Sequence, residues 1–496
     1  MENLILAVDV GTTNIKAGII NEEGKILRII TKEIEIEKDD KGKAEHNPER
    51  LFQDFISICR AVSIGYEKMV SYLVLSSYQF GLLPVDKDFK PLSGIITLLD
   101  LRPREIFKEL IRKIEVMNFY KRVGSPPLFI SPFNKIYWLK KKRKEIFKKA
   151  RYFLGSKDYL LLRLLGKPYT EPSLSSATQL MNINNLKWDY YSLNTLGIEE
   201  KNLPEICSSE EIIGELTKEI RREIGLKRNV YVIPGVYDGG AIGLGIGAFE
   251  DTVGIMNIGT TAMLRITYPQ PVIDRDKRMR FQAFFLCSNK WFIGGAINNA
   301  GIILKWFRDN IFNLSYDKLS SLAEEVETNN LYFFPFITGE RYPEIGNIAS
   351  GVLWGLRSFH TRNHMIRAAM EGVAYTLRMA FEALKENGIE MKKLRAGGGG
   401  TRSSVWMEIF SSVFNMPIEV TEYDEPGLLG LGLLVLYVTK RFNDLHEATK
   451  NVVKISKIYY PKEHLKEKYQ KGYEFYKFLL KNFSHAFKKH TTLYNQ

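Results

Sequence analysis

The chain opens Leu4-Ile5-Leu6-Ala7-Val8-Asp9-Val10-Gly11-Thr12-Thr13-Asn14-Ile15, and an echo returns as Val253-Gly254-Ile255-Met256-Asn257-Ile258-Gly259-Thr260-Thr261-Ala262-Met263-Leu264-Arg265-Ile266. Each copy reads as an apolar strand, a Gly-Thr-Thr turn and a second apolar strand, which in the first copy covers Ile15 to Ile20. The two turns lie 248 positions apart in a chain of 496 residues. One such triplet is usually only a hairpin. Two at equal positions in two halves point to a duplication, with halves 1–248 and 249–496 and a boundary inside ordered chain near Ile246–Asp251. The backbone N–H groups and hydroxyls of such a turn form a small nest suited to phosphate oxygens. Asp9, just before the first turn, suits a divalent cation held through water, as magnesium prefers. Its counterpart is Asn257, so the metal is expected on the first half.

Composition narrows the class. The chain is 45% hydrophobic and 26% charged, which excludes a disordered, collagen-like or disulfide-scaffold protein. Its net charge of +13 concentrates anions near the surface. No arginine-rich arm or basic repeat accompanies that charge, so no nucleic-acid partner is expected. Cys59, Cys207 and Cys287 are few and far apart, which fits buried thiols in a reducing compartment. The N-terminus has no basic export region, and the longest apolar run, Gly427 to Val438, is well short of the ~20 residues a membrane span needs. A cytoplasmic protein without a membrane partner is expected.

Strand-like and helix-like stretches alternate in both halves. Strands are expected at Leu73–Leu75, Gly81–Val85, Arg280–Phe285 and Trp291–Gly294. Helices are expected at Pro103–Ile114, Lys135–Lys149, Asn299–Phe312 and Asn363–Lys385. That alternation implies an α/β layered fold. Near the end, Tyr469, Tyr473, Tyr476 and Phe478 recur at near-helical spacing, as in an amphipathic helix docked on its own lobe. An RNA-binding face is the alternative.

Two further stretches carry chemistry. In Val232-Ile233-Pro234-Gly235-Val236-Tyr237-Asp238-Gly239-Gly240 an apolar strand breaks at Pro-Gly, and a carboxylate follows with little bulk beside it. Taken alone, Asp238 fits a helix N-cap as well as a site facing a cleft. Ala396-Gly397-Gly398-Gly399-Gly400-Thr401-Arg402-Ser403-Ser404 joins a short strand to a helix at Trp406–Asn415. Its glycines admit a flat ring or a phosphate close to the backbone. It is not a Walker A loop, and a merely flexible loop is the plainer alternative.

These residues together resemble the FGGY carbohydrate kinases. The most specific match is Gly351-Val352-Leu353-Trp354-Gly355-Leu356 followed by His364-Met365-Ile366-Arg367-Ala368-Ala369-Met370-Glu371-Gly372, which fits the family's C-terminal signature with its spacing. The N-terminal signature is partial: Pro132, Lys135, Trp138 and Leu139 match, and Ile130 and Lys142 depart. The resemblance implies α/β architecture with two duplicated ribonuclease-H-like domains of the actin- and hexokinase-like ATPase kind, and a cleft between them. It implies ATP and Mg2+ as cofactors and a sugar or sugar acid as phosphoryl acceptor. Asp238 takes the position of the catalytic base and, with Asp9, of the groups near magnesium. Thr12 and Thr13 fall on the first phosphate turn, Gly259 and Thr260 on the second. Gly301, Gly400 and Ser404 fall at the adenosine pocket. Many similar kinases are dimers, so a homodimer is the assembly to test.

The substrate is less legible. Xylulose and gluconate kinases usually carry Met-His before the Gly81 equivalent; here the segment is Tyr78-Gln79-Phe80. The family's Trp-x-Asp-x-Arg element survives as Leu98-x-Asp100-x-Arg102. Gln79, Phe80, Asp100, Arg102 and Asp238 are therefore the expected sugar contacts, with a surface ion pair the alternative for Asp100 and Arg102. Gly294-Gly295, Asn298-Asn299 and Phe334-Pro335 with Gly339-Glu340-Arg341 lean towards gluconate kinases. Tyr342-Pro343-Glu344-Ile345-Gly346 lacks the Trp-Asp pair often found there. Gluconate is the first expectation and a ketopentose or polyol the second. An ATPase of the actin or Hsp70 kind, without any sugar, is the reading from another class.

Overall fold

The computed structural model describes residues 3–343 and 345–494, so Glu344 of the last-named segment lies outside the described residues. Two mixed sheets repeat one strand pattern. In the first, β1 (Leu4–Val10) runs antiparallel to β2 (Asn14–Ile20), and β3 (Ile26–Glu33) lies outside β2. On its other flank β1 pairs in parallel with β4 (Val70–Ser77). The short β5 (Gly214–Glu215) forms the antiparallel edge beyond β6 (Tyr231–Ile233), which is parallel to β4.

The second sheet repeats this order. There β7 (Val253–Ile258) is antiparallel to β8 (Ala262–Tyr268), and the hairpin of β9 (Gln282–Cys287) and β10 (Lys290–Ile297) joins outside β8 through β10. On the other flank β7, β11 (Lys393–Gly397) and β12 (Ile418–Thr421) run parallel, and β13 (Ile455–Tyr459) closes the edge antiparallel. The apolar run of β1 reflects burial on both faces. Leu4, Leu6, Val8 and Val10 enter one core, and Ile5 and Ala7 enter another.

Several helices differ from expectation. Pro103–Ile114 is a 3-10 turn at Arg102–Ile106 followed by a short helix, Phe107–Ile111. Lys135–Lys149 begins earlier, as α1 (Pro132–Lys142), because Ser131 caps it and Pro132 suits a first turn. It then breaks at Arg143, whose φ of −131° and ψ of 52° leave the helical region. The helix expected at Asn299 starts at Gly301 and ends in a π turn, Phe307–Phe312.

Two helices join the halves. They are α2 (Asp238–Ile246) and, after α3 (Arg362–Glu386) and α4 (Ser404–Phe414), α5 (Pro426–Val438). A Cβ on Gly245 would lie 1.8 Å from the Pro426 carbonyl oxygen, and one on Gly430 would lie 1.9 Å from that of Ala241. The helices therefore cross at backbone contact. α5 is apolar on every side because it fills a core that takes Ile5 and Val74 from the first sheet and Val253 and Phe292 from the second. Among the described residues no helix is long and apolar enough to cross a membrane.

The terminal helix α6 (Glu463–Tyr494) docks on its own half, with Tyr469, Tyr473 and Tyr476 buried. The Tyr476 ring stacks on Phe334 at 4.3 Å between centroids. Phe478 is a correction: it falls off the buried stripe and is 59% exposed.

Candidate active site

Asp238 is the first residue of α2, and the chain before it is fixed from both halves. Gly235 has a φ of 69°, and a Cβ there would lie 2.1 Å from the Leu75 carbonyl oxygen. Only glycine lets the strand turn so close behind β4. The Tyr237 N–H donates to Ser173 Oγ at 3.0 Å, and that hydroxyl donates to Glu171 at 2.9 Å. Glu171 is paired with Lys157 at 2.6 Å, both side chains being fully buried. Two backbone N–H groups and the Ser209 hydroxyl complete the carboxylate's partners, so the buried pair leaves no acceptor unmet. From β8 in the second half, Arg265 donates to the Tyr237 hydroxyl at 2.5 Å, its guanidinium lying among the rings of Tyr237, Phe284 and Phe292.

The site is acidic and crowded. Burial, and next the neighbouring Asp9 carboxylate, push Asp238 up to about 7. The Gly239 N–H, 2.7 Å from Oδ1, and the charges of Arg265 and Lys157 oppose that shift. Burial also raises Asp9, opposed by the Ser76 hydroxyl at 2.5 Å and by Lys16. Lys16 in turn pairs with Glu425 at 2.6 Å, just before α5, and Gly427 at the start of α5 lies against the Asp9 carboxylate. Among the described residues no cluster of three metal-ligating side chains occurs. The neighbouring carboxylates of Asp9 and Asp238, both half-buried, nevertheless fit magnesium, which takes one or two protein carboxylates and completes its shell with water and phosphate. A cation there offsets the cost of keeping both groups charged where burial raises them.

The raised Asp238, held up first by burial and next by Asp9, has a measurable cost. Asp238 holds its proton more tightly when folded than unfolded, so its contribution to stability falls as pH rises from about 4 to about 7. Asp238→Asn removes that term. We expect the variant, free of magnesium and nucleotide, to be about 1–3 kcal/mol more stable than the parent at pH 8, after allowance for solvent screening. The difference should close near pH 4, as read from denaturation midpoints. Equal midpoints at pH 8 would show that the carboxylate is not strained.

The two Gly-Thr-Thr turns are placed by the sheets. His46 spans the first, with Nε2 3.0 Å from the Thr12 carbonyl oxygen and Nδ1 2.8 Å from the Tyr78 hydroxyl. Burial lowers its pKa. In the neutral ring Nε2 donates to Thr12, since a carbonyl can only accept, and Nδ1 accepts from Tyr78. Thr13 is exposed and Thr12 half-buried. In the second turn the Gly301 N–H donates to the Gly259 carbonyl at 2.9 Å, and the Ala300 N–H to that of Thr260 at 3.2 Å. A Cβ on Gly400 would lie 2.4 Å from Ile258 Cγ2, so the glycine-rich loop presses on the same turn. Gly259, Thr260, Gly301 and Gly400 thus come together. Ser404 opens α4, exposed, and accepts from the Tyr459 hydroxyl at 3.0 Å.

On the sugar side one expectation changes. Asp100 is fully buried, and its carboxylate is taken by the Ala44 N–H and by the backbone and guanidinium of Arg102. With no open face it holds Arg102 rather than touching a sugar. Nor is the pair on the surface: Arg102 also bonds Glu45 and lies over the Trp138 ring. Gln79 has a buried amide nitrogen without a partner, and Phe80 has a φ of 68°. Asn299 and Glu340 bond each other, and Glu340 also accepts from the N–H groups of Asn298, Arg341 and Tyr342.

The relatives fit this geometry. A gluconokinase from Bacillus subtilis (strain 168) is 32% identical, the match covering 89% of either chain. A xylulose kinase from the same organism is 26% identical over 95% of this chain and 96% of its own. A crystal structure of gluconate kinase from Lactobacillus acidophilus superposes with a TM-score of 0.94 at 26% identity, covering 99% of this chain and 100% of that one. The family model described as "FGGY family of carbohydrate kinases, N-terminal domain" matches residues 4–245, and its C-terminal counterpart matches residues 254–438. The chain belongs to the FGGY family of carbohydrate kinases. It is an ATP-dependent sugar kinase with the family's two-domain α/β fold, working with ATP and magnesium.

Sequence reasoning passed over several residues that hold the candidate site in place. His46 is a lone histidine with no motif around it. Arg265 stands inside the repeated segment but has no counterpart in the first copy that would mark it. Lys157 and Glu171 meet only through the fold.

Proposed function

We propose that this kinase phosphorylates a hydroxyl of a sugar acid, gluconate first. The carrying observation is Asp238, a carboxylate held near neutral pKa beside Asp9 at the junction of the two halves. A base so placed takes a proton from the acceptor hydroxyl at working pH. Thr12 and Thr13 on one side, and Gly259 and Thr260 on the other, hold the phosphate chain in line with that hydroxyl. Gly301, Gly400 and Ser404 line the adenosine end. Magnesium bound at Asp9 and Asp238 supplies positive charge to the phosphates. Gln79 offers its unpartnered amide to a sugar oxygen, and Phe80 and Arg102 complete that wall. The working units are the halves 1–248 and 249–496, in a cytoplasmic enzyme without nucleic-acid or membrane partners, and a homodimer is the assembly we favour.

Support for gluconate is the 32% identity with a gluconokinase. Support for a ketose instead is the xylulose kinase likeness, which spans a similar length. The test is sugar-dependent ADP release across gluconate, other sugar acids, ketopentoses and polyols. Gluconate should give the highest kcat/KM. A ketopentose ahead of it by tenfold or more would overturn the sugar-acid reading; an ADP release blind to every acceptor would overturn the kinase reading of the site.

A further inference from the structure

Lys135 is fully buried in α1, and among the described residues no carboxylate lies within ion-pair distance of it. Its Nζ instead donates to three backbone carbonyls, those of Phe80, of Ile96 at 3.0 Å and of Thr97 at 2.8 Å. An ammonium has three donors, and here each has one acceptor. Charge burial at this depth is costly and persists only where every donor is met.

The carbonyls belong to two separate segments. Phe80 follows Gln79 in the loop after β4, and its left-handed φ is one that a bulky residue keeps only when its surroundings impose it. Ile96 and Thr97 lead directly into Asp100 and Arg102, the two charged groups that face Lys135. One side chain therefore bolts together both segments that carry the sugar wall. It does so from behind, out of reach of any ligand.

We propose that Lys135 is a positioning residue for the sugar: it sets the spacing between the Gln79–Phe80 loop and the Thr97–Arg102 segment, so that the acceptor hydroxyl meets Asp238 in one orientation. This rests on the sugar-kinase reading of the site. A purely structural lysine would instead lower stability and weaken both substrates alike.

The experiment compares Lys135→Met, which keeps bulk but no donor, with Lys135→Gln, which keeps two donors. Steady-state constants are measured for gluconate, or the best acceptor of the panel, and for ATP, with hydrogen exchange over residues 78–82 and 95–102. In Lys135→Met the acceptor KM should rise at least about tenfold and the ATP KM stay within about twofold, as expected when one wall of a site loosens. Lys135→Gln should fall between, and both segments should exchange faster in either variant. Should the Met variant fail to fold, the Gln variant carries the same KM split. A lowered melting temperature with the acceptor KM unchanged overturns the proposal, as do equal rises in both constants. Absent acceptor-dependent turnover in the parent refutes the sugar reading itself, whereas a parent that turns over beside variants with parental KM refutes only the role of Lys135.

Discussion

Asp238→Asn is expected to lower acceptor-dependent turnover by about a thousandfold or more, the upper part of the range for loss of a general base. The amide keeps the shape of the carboxylate and its place at the start of α2, but it cannot take the proton of the attacking hydroxyl. In the site we propose, ATP is bound mainly by the two turns and the glycine-rich loop, so its dissociation constant should change by less than about threefold, the signature of a group used in the chemical step. Activity within tenfold of the parent would sink the assignment of Asp238. In the parent, kcat/KM should fall as pH drops below about 7, because Asp238 is then increasingly protonated. Bound magnesium moves that limb lower, so its position should shift with magnesium concentration.

Gly430→Ala is expected to cost at least about 3 kcal/mol, the upper range for overpacking. The added carbon would lie 1.9 Å from the Ala241 carbonyl oxygen and 2.8 Å from the Gly245 nitrogen. Both are backbone atoms, so no rotamer change can make room and the helices must part. α2 begins at Asp238 and α5 begins against Asp9, so parting them separates the two carboxylates. Stability and turnover should therefore fall together. Gly399→Ala is the stability control, because a Cβ there meets nothing within 4 Å. A denaturation midpoint for Gly430→Ala equal to that of the parent would show that the helix contact is not tight.

The fold was legible because a duplication writes itself twice. The Gly-Thr-Thr turns recur 248 residues apart, and the strands around them form equivalent hairpins in the two sheets. The placing of Asp238 at the end of a strand and the start of a helix was legible for another reason: a strand, a Pro-Gly break, a carboxylate and two glycines are local features. Asp100 was misread because its spacing to Arg102 shows that the two can meet, but not that Asp100 turns inward and is consumed by Arg102 and the Ala44 N–H. Phe478 was misplaced by the same limit, since aromatic spacing does not tell which side of a helix is buried.

What the sequence determined by itself is the architecture and the class of chemistry: two related halves, two Gly-Thr-Thr turns, one carboxylate kept at Asp9 and lost at Asn257, and a kinase signature. These live in runs of neighbouring residues, where periodicity, turn geometry and motif spacing act. What only the tertiary structure decided is how that chemistry is held. Lys135 reaches Phe80 and Thr97, Lys157 reaches Glu171 behind Tyr237, Arg265 reaches across from the second half, and Gly245 meets Pro426. Each contact joins positions distant in the chain. Their energies come from burial, desolvation and close packing, which exist only after the sheets have assembled.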